Sequence, residues 1–509
     1  MKSGSNWRLG QETSIQDMEA LIQNGYVLQR LNSVNQQVTL LDSYDWDIWQ
    51  SGMLLLDNGN KELRLLTKDD HCLASCQTTE EKHFWWQLPA GELANRLKEL
   101  ISIRALTPKH TALIVTEYFT VLNEDDKIVV RAELVSITVE KKQPCRFLKV
   151  LPLKGYQREY TQLLKSLAPL NPEELTDSGL RNLLQQAGLE AHIPKSKAIF
   201  NLEDHETAEI VVARMAKEMI QLAREQEQGI IDDIDTEFVH QYRVNIRKTR
   251  SLISLFKKTL SPQRFQFLKS ELKTIGSRTN ELRDLDVFLL DQDYYRDLLP
   301  QNLWPGLEQL FRRIKRRRTS TYKKMKAQLS GSSYLDQVDH LLQVLQQDPD
   351  LQTKQARAEI KSLVSRKISA QYRLIQADGR RIGVATADAA VHELRIECKK
   401  LRYLLELFKE LYSKDEIREL IKFLKVLQDN LGKFNDYSVQ QEFLLHFGQG
   451  ARISADQLAS INGLAAVLYN KQRVERSLVV KNISGFLEPS IEKLFLKLFH
   501  STPPEGTKS

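Results

Sequence analysis

The chain has 509 residues, enough for two or three domains, and its 27% charged and 41% hydrophobic residues are ordinary for a soluble globular protein. The net charge of +7 is uneven: residues 1–200 carry 23 Lys and Arg against 25 Asp and Glu, and the remainder carries 50 against 41. An acidic partner is therefore expected on the C-terminal region. Four cysteines, Cys72, Cys76, Cys145 and Cys398, are too few and too scattered for a disulfide framework.

The chain opens on Met1-Lys-Ser-Gly-Ser-Asn6, without the apolar stretch of a signal peptide, and no run reaches 18 apolar residues. A cytoplasmic location and no membrane contact are expected. Asp17 to Leu31 has helical spacing. Ser51 to Leu66 holds two apolar runs around Asp57-Asn-Gly-Asn60, a hairpin signal with Asn-Gly at the turn. His71, Cys72 and Cys76 lack a second ligand pair and read as ordinary reduced side chains rather than a metal site. Thr111 to Thr120 and Lys127 to Val139 are strand candidates joined through Asn123-Glu-Asp-Asp126. Residues 1–165 thus read as an α+β domain with a meander or partly closed antiparallel sheet.

Pro169, Pro172, Asp177-Ser-Gly179 and Pro194 mark residues 166–204 as a linker holding a short helix at Leu180 to Gly188. From Glu206 to about Leu498 the periodicity is helical. It breaks at Ser261-Pro262, Leu299-Pro300, Trp304-Pro305-Gly306, Asp348-Pro349, Gly379 and Gly448 to Gly450. Long helices joined by short loops are expected, as in a bundle. Residues 501–509 read as a disordered tail.

The helical region contains a unit that is written twice. His240-Gln-Tyr-Arg243-Val-Asn-Ile-Arg247-Lys248-Thr-Arg250 returns as His392-Glu-Leu-Arg395-Ile-Glu-Cys-Lys399-Lys400-Leu-Arg402, 152 residues later. The offset persists at Leu272-Lys273 and Leu424-Lys425, and at Asp284 and Asp436. At about 100° per residue, His240, Arg243, Arg247 and Arg250 share an arc of about 80°. Tyr242, Ile246, Ile253 and Phe256 form an apolar face beside it. His392, Arg395, Lys399 and Arg402 repeat the row, beside Leu394, Cys398, Leu405 and Phe408.

Cations three, four and seven apart repel by a few tenths of a kcal/mol per pair. Between Val239 and Ser270 there is no Asp or Glu to relieve this, although Glu406 falls on the basic arc of the second copy. A single such helix reads first as a solvated basic face, or as one paired to acids elsewhere. Two matched copies favour an anion site. Phe311-Arg-Arg-Ile-Lys-Arg-Arg-Arg318 either lines the same groove or is a solvated face.

The duplicated His-x-x-Arg-x-x-x-[Arg/Lys]-Lys-x-Arg helix resembles the CHAD family, named for its conserved histidine and α-helical domain. Leu272 to Val287, with Arg283-Asp284, and Leu424 to Asp436, with Asn435-Asp436, are similar to its second signature. The resemblance covers about 205–500. It implies an all-α domain of two pseudo-symmetric four-helix bundles, copies at about 205–345 and 355–500, whose basic helices meet around a cationic groove. Members bind inorganic polyphosphate, and some associate with polyphosphate granules. Carried over by position, the ligand set is His240, Arg243, Arg247, Arg250, His392, Arg395, Lys399 and Arg402, with Lys248, Lys273, Lys400 and Lys425 at additional basic positions. Arg283 stands where the second copy has Asn435. Asp284 and Asp436 read as helix caps or orienting groups rather than metal ligands.

Asp42-Ser-Tyr-Asp45-Trp46-Asp-Ile-Trp49-Gln-Ser-Gly52 is similar to a segment of the CYTH, or triphosphate tunnel, superfamily. That resemblance implies an antiparallel tunnel or barrel-like domain. Active members hold metal on a Glu-x-Glu-x-Lys strand. Trp7-Arg-Leu-Gly-Gln-Glu-Thr13 lacks those alternating acids, and Leu56 stands where an arginine is expected. Asp42, Arg64, Lys68 and Glu133 remain, too scattered for a metal site. The domain reads as a degenerate tunnel without catalysis, metal or cofactor.

The leading expectation is a multidomain, non-enzymatic polyphosphate binder without a specific nucleic-acid partner. Two alternatives stay open. One is a triphosphatase in the N-terminal domain, which the missing glutamates oppose. The other is a nucleic-acid binder, since any cationic groove attracts phosphate backbones. The basic helices lack the interleaved aromatics that stack bases.

Overall fold

The computed structural model describes residues 5–499 apart from 11, 12, 14, 23, 24, 79–82, 196, 197, 384, 385 and 450–452. The expected tail at 501–509 lies outside the described residues. The chain divides into two compact units, residues 1–196 and 197–509. Among the described residues no helix is long and apolar enough to cross a membrane.

The N-terminal unit comprises β1 (Ser5–Leu9), α1 (Ile15–Leu21), β2 (Val27–Asp42), α2 (Asp47–Gln50), β3 (Leu54–Asp57), β4 (Glu62–Leu66), β5 (Cys72–Gln77), α3 (Glu92–Ile101), β6 (Thr107–Leu122), β7 (Ile128–Val139), β8 (Cys145–Pro152), α4 (Gln157–Ser166), β9 (Glu173–Glu174) and α5 (Leu180–Gln186). The described strands form one antiparallel sheet in the order β5-β4-β3-β2-β6-β7-β8-β1-β9. Alternation sends side chains to two faces. Val38, Leu40, Leu54, Leu56, Ile137 and Phe147 line one face, with Trp46, Trp49 and Leu184. On the other, α3 covers Leu55, Leu63 and Leu65, while α1 and α4 cover Phe119, Val121, Leu134 and Leu148.

Three sequence expectations change here. The helix expected over Asp17 to Leu31 stops at Leu21, because Gly25 turns the chain at φ 82° and β2 then pairs with β6 from Val27. The hairpin loop is Asn58 to Lys61 rather than a two-residue Asn-Gly turn, with Gly59 and Lys61 both at positive φ. Much of the expected linker belongs to this unit. β9 pairs with β1, and Leu184, Ala187 and Leu189 are buried in the sheet's core.

The C-terminal unit comprises α6 (Ala208–Arg224), α7 (Glu227–Ile231), α8 (Thr236–Leu255), α9 (Pro262–Ser277), α10 (Asn280–Leu290), α11 (Gln292–Asp297), α12 (Trp304–Leu329), α13 (Ser332–Gln346), α14 (Ile360–Gly379), α15 (Asp388–Leu407), α16 (Lys414–Gly448), α17 (Ala455–Phe486) and α18 (Pro489–Phe499). Among the described residues the expected breaks fall at or beside helix ends, Gly450 lying outside them. Ser261 caps α9, for example, with Pro262 at its first position.

The 152-residue repeat is structural. Both ends of α15 lie 152 residues beyond those of α8, and α14 and α16 start 152 beyond α6 and α9. The packing repeats too: α6 on α8, α8 on α9 and α10 on α12 answer to α14 on α15, α15 on α16 and α16 on α17. Each bundle gains a fifth helix, since α13 packs on α6 and α18 on α14. Phe495 of α18 stacks on Tyr372 of α14, centroids 3.8 Å apart.

A backbone bridge joins Thr207 to Glu359, its own repeat counterpart. Ala208 N–H donates to Ala358 O and Ile360 N–H to Glu206 O, both at 2.9 Å. The two bonds exchange under the repeat, so a pseudo-two-fold axis passes between them. The copies also share a core, in which Leu285, Phe288 and Leu310 pack with Leu444, Ile461 and Leu464.

Candidate functional site

The basic row on α8 is fixed by its opposite face. Phe238, Tyr242, Ile246 and Ile253 are buried, and Asp235 caps the helix by accepting from the N–H groups of Glu237 and Phe238. Leu394, Cys398 and Leu405 anchor α15 in the same way. Burying these stripes turns Arg243, Arg247, Arg250, Arg395, Lys399 and Arg402 outward.

The helices meet along this row. α8 packs on α15, and Arg247 of the first copy lies close enough to Arg395 and Lys399 of the second to disfavour their charged forms. Lys399 is pushed down to about 8, first by burial and then by Arg395, Arg247 and Arg402, with Asp436 opposing. Burial likewise lowers Arg243, against the pull of Asp284. Asp284 and Asp436 are raised by burial although their residues are exposed by area. The two acids face Arg243 and Arg283 in one copy, and Arg395 and Lys399 in the other. Each is thus a countercharge to the neighbouring cations.

The copies hold their cations differently. Arg243 Nη1 donates to Thr279 Oγ1 at 3.0 Å and Asn280 Oδ1 at 2.5 Å, at the break between α9 and α10. The counterparts Leu431 and Gly432 offer no acceptor, and Arg395 Nε is buried without a hydrogen-bond partner among the described residues. At the other end the roles reverse. Arg402 donates to Glu406 Oε1 at 2.5 Å and Gln428 Oε1 at 3.1 Å. The counterparts of Glu406 and Gln428 are Ser254 and Gly276, so Arg250 lies over a glycine. Among the described residues, Arg247, Arg250 and Lys399 have no ion pair or hydrogen bond.

The other expected residues are less central. His392 Nδ1 lies 2.9 Å from Asn435 Oδ1, and His240 is half-buried at the head of its row. Lys400 is neutralised by Glu397 at 2.7 Å, and Lys248 is half-buried. Lys273 and Lys425 are exposed on α9 and α16, and no contact among the described residues ties them to the row.

The run at 311–318 lies on α12 and divides. Phe311 and Ile314 are core, Arg318 pairs with Asp286 and Asp233, and Arg317 pairs with Glu281. Arg312, Lys315 and Arg316 are exposed. The signal for this division was the helical period itself.

In the N-terminal unit, β1 carries Trp7, Arg8 and Leu9 where an acidic strand would be needed, and Glu12 lies outside the described residues. Buried Asp42 accepts from the N–H groups of Ser43, Ile48 and Trp49, which fixes the turn into α2. Burial raises it to about 6. Glu133 pairs with Lys149 at 3.2 Å, and Arg64 faces Leu56 across the β3–β4 ladder. Lys68 lies in the turn after β4.

Family comparison covers both basic helices: the CHAD domain matches residues 214–445. Among solved structures, the CHAD domain from the plant Ricinus communis is 20% identical, covering 58% of this chain and 97% of that chain with a TM-score of 0.47. PptA from Streptomyces chartreusis is 14% identical, covering 55% of this chain and 99% of that chain with a TM-score of 0.44. No curated protein matches the chain. Residues 214–445 of this chain are a CHAD domain.

Proposed function

We propose that this chain binds inorganic polyphosphate in the groove between α8 and α15, without catalysis. The carrying observation is that α8 packs on α15, so that Arg247 and Lys399, repeat counterparts, crowd together with no ion pair among the described residues and only Asp436 opposing their repulsion. Crowded like charges are stabilised by a bound polyanion. Polyphosphate has no bases to read, so it needs only a rigid array of cations. Arg supplies fork-shaped donors to phosphate oxygens, and Lys a compact charge. The CHAD family is associated with polyphosphate-related ligands, which supports the same reading. On this reading the protein gathers on polyphosphate granules.

Binding of labelled long-chain polyphosphate across a salt series tests it, with Arg247→Glu/Lys399→Glu beside the parent. Salt-sensitive binding lost in the double variant is expected. Four engaged cations correspond to a logarithmic salt slope of roughly 3. Equal binding by parent and variant refutes the reading. Polyphosphate of equal charge is expected to displace RNA.

A further inference from the structure

A second cationic surface lies on α12. Its buried face is Leu307, Leu310, Ile314, Met325 and Leu329. About 140° away, at about 100° per residue, Arg312, Lys315, Arg316, Lys323 and Lys326 share an arc of about 100°. All five are exposed. At 1.5 Å per residue the stripe is about 21 Å long. Among the described residues none of the five has an ion pair, whereas Arg317 and Arg318 of the same helix do. The one acid of α12 is Glu308, a turn before Arg312.

The fold does not require this charge. α17 holds the equivalent place in the second copy with four cations and two acids over 32 residues, against nine cations and one acid over 26 in α12. Repulsion along α12 is a cost that the symmetric position does without. α12 also presents no exposed large hydrophobic side chain. A helix that enters a lipid surface carries such side chains, and a strand-stacking surface carries aromatics. Cations alone, along one face of a rigid rod, suit a flexible chain of phosphates without bases.

We infer that the outer stripe of α12 is a second polyphosphate-binding surface, distinct from the groove, on which long chains gain affinity that short ones cannot. The inference rests on the polyphosphate reading of the groove. A chain held in the groove presents its free length to α12 at high effective concentration, so the second attachment adds avidity.

The test uses the full chain with tripolyphosphate and with long-chain polyphosphate, each over a salt series. Four proteins are compared: the parent, the groove variant Arg247→Glu/Lys399→Glu, the stripe variant Arg312→Gln/Lys315→Gln/Arg316→Gln/Lys323→Gln/Lys326→Gln, and the conservative variant Arg312→Lys/Arg316→Lys. The stripe variant is expected to bind tripolyphosphate as the parent does. It is expected to bind long chains at least tenfold more weakly, with the salt slope reduced by roughly 0.7–0.9 for each phosphate no longer neutralised. Arg312→Lys/Arg316→Lys is expected to keep parental binding. Unchanged long-chain affinity and slope in the stripe variant overturn the inference. Loss of binding only to phosphatidylserine vesicles or to duplex DNA overturns it as well. If the groove variant still binds tripolyphosphate like the parent, it is the groove reading that falls.

Discussion

Phe256 and Phe408 occupy the same position in the two copies, and their rings meet with centroids 5.2 Å apart at an angle of 44°. A side chain that touches its own counterpart lies on the symmetry axis. Thr207 and Glu359 do the same through the backbone, and Arg247 and Lys399 through their charges. The axis therefore carries a buried aromatic pair as well as the crowded cations. The groove is built around a point that two copies must share.

Phe256→Ala and Phe408→Ala are each expected to destabilise the C-terminal unit by about 3–5 kcal/mol, since both rings are fully buried. The double variant is expected to lose less than the sum, by about 0.5–1.5 kcal/mol. Urea denaturation followed by far-ultraviolet circular dichroism measures the cycle. Strict additivity would show that the rings do not couple.

Gly276→Gln copies onto the first repeat the tether that Gln428 gives Arg402. A Cβ at position 276 meets Arg250 Nη1 at 3.5 Å and Ile246 Cγ2 at 3.4 Å, so the side chain fits with little adjustment. Stability is expected to rise by about 0.5 kcal/mol, because Gly is a poor helix former. Polyphosphate affinity is expected to fall about fivefold, the equivalent of one competing hydrogen bond of about 1 kcal/mol. Opposite signs in melting and binding separate this from simple damage. Unchanged affinity would place Arg250 off the ligand path.

The repeat was legible because matching residue types recur at one offset, and two helices with the same pattern bury corresponding stripes. Some helical breaks, such as Ser261-Pro262 and Asp348-Pro349, were legible because Pro or Gly marks them. β2 was not, because Leu31 to Gln37 is largely polar and exposed, so no period-2 pattern marks a strand. Its conformation is set by pairing with β6, with a register irregularity between Arg30 and Ser33. The unlike handling of Arg243 and Arg395 was hidden too. It depends on a helix break at Arg278-Thr279 that contains neither Pro nor Gly, and on acceptors supplied by a neighbouring helix.

Arg318 and Arg317 are adjacent and look equivalent in sequence, yet they are expected to differ in energetic weight. Arg318 holds Asp286, which is 1% exposed, at 2.9 Å, and also pairs with Asp233. Arg318→Ala strands that carboxylate and is expected to cost about 3–5 kcal/mol. Arg317 and Glu281 are both largely exposed, so Arg317→Ala is expected to change stability by about 0–1 kcal/mol. Urea midpoints for the two variants decide. Equal effects would contradict the burial assigned to Asp286.

Lys399 gives the groove a pH dependence. Its folded-state value, about 8, lies below the ordinary lysine value because burial, Arg395, Arg247 and Arg402 all disfavour the charge. A bound polyanion favours the charged form and raises that value. Binding above pH 8 must then take up a proton, whereas below pH 8 the charge is already present. Affinity is expected to be level below about pH 8 and to fall above it, with a limiting slope near one decade per pH unit. Lys399→Arg keeps the charge throughout and is expected to flatten the profile. Asp436→Asn removes the one neighbouring group that supports the charge and is expected to move the inflexion to lower pH. Titration calorimetry in buffers of different ionisation heat reads the proton directly. A flat parental profile through pH 8 would mean that Lys399 does not meet the ligand.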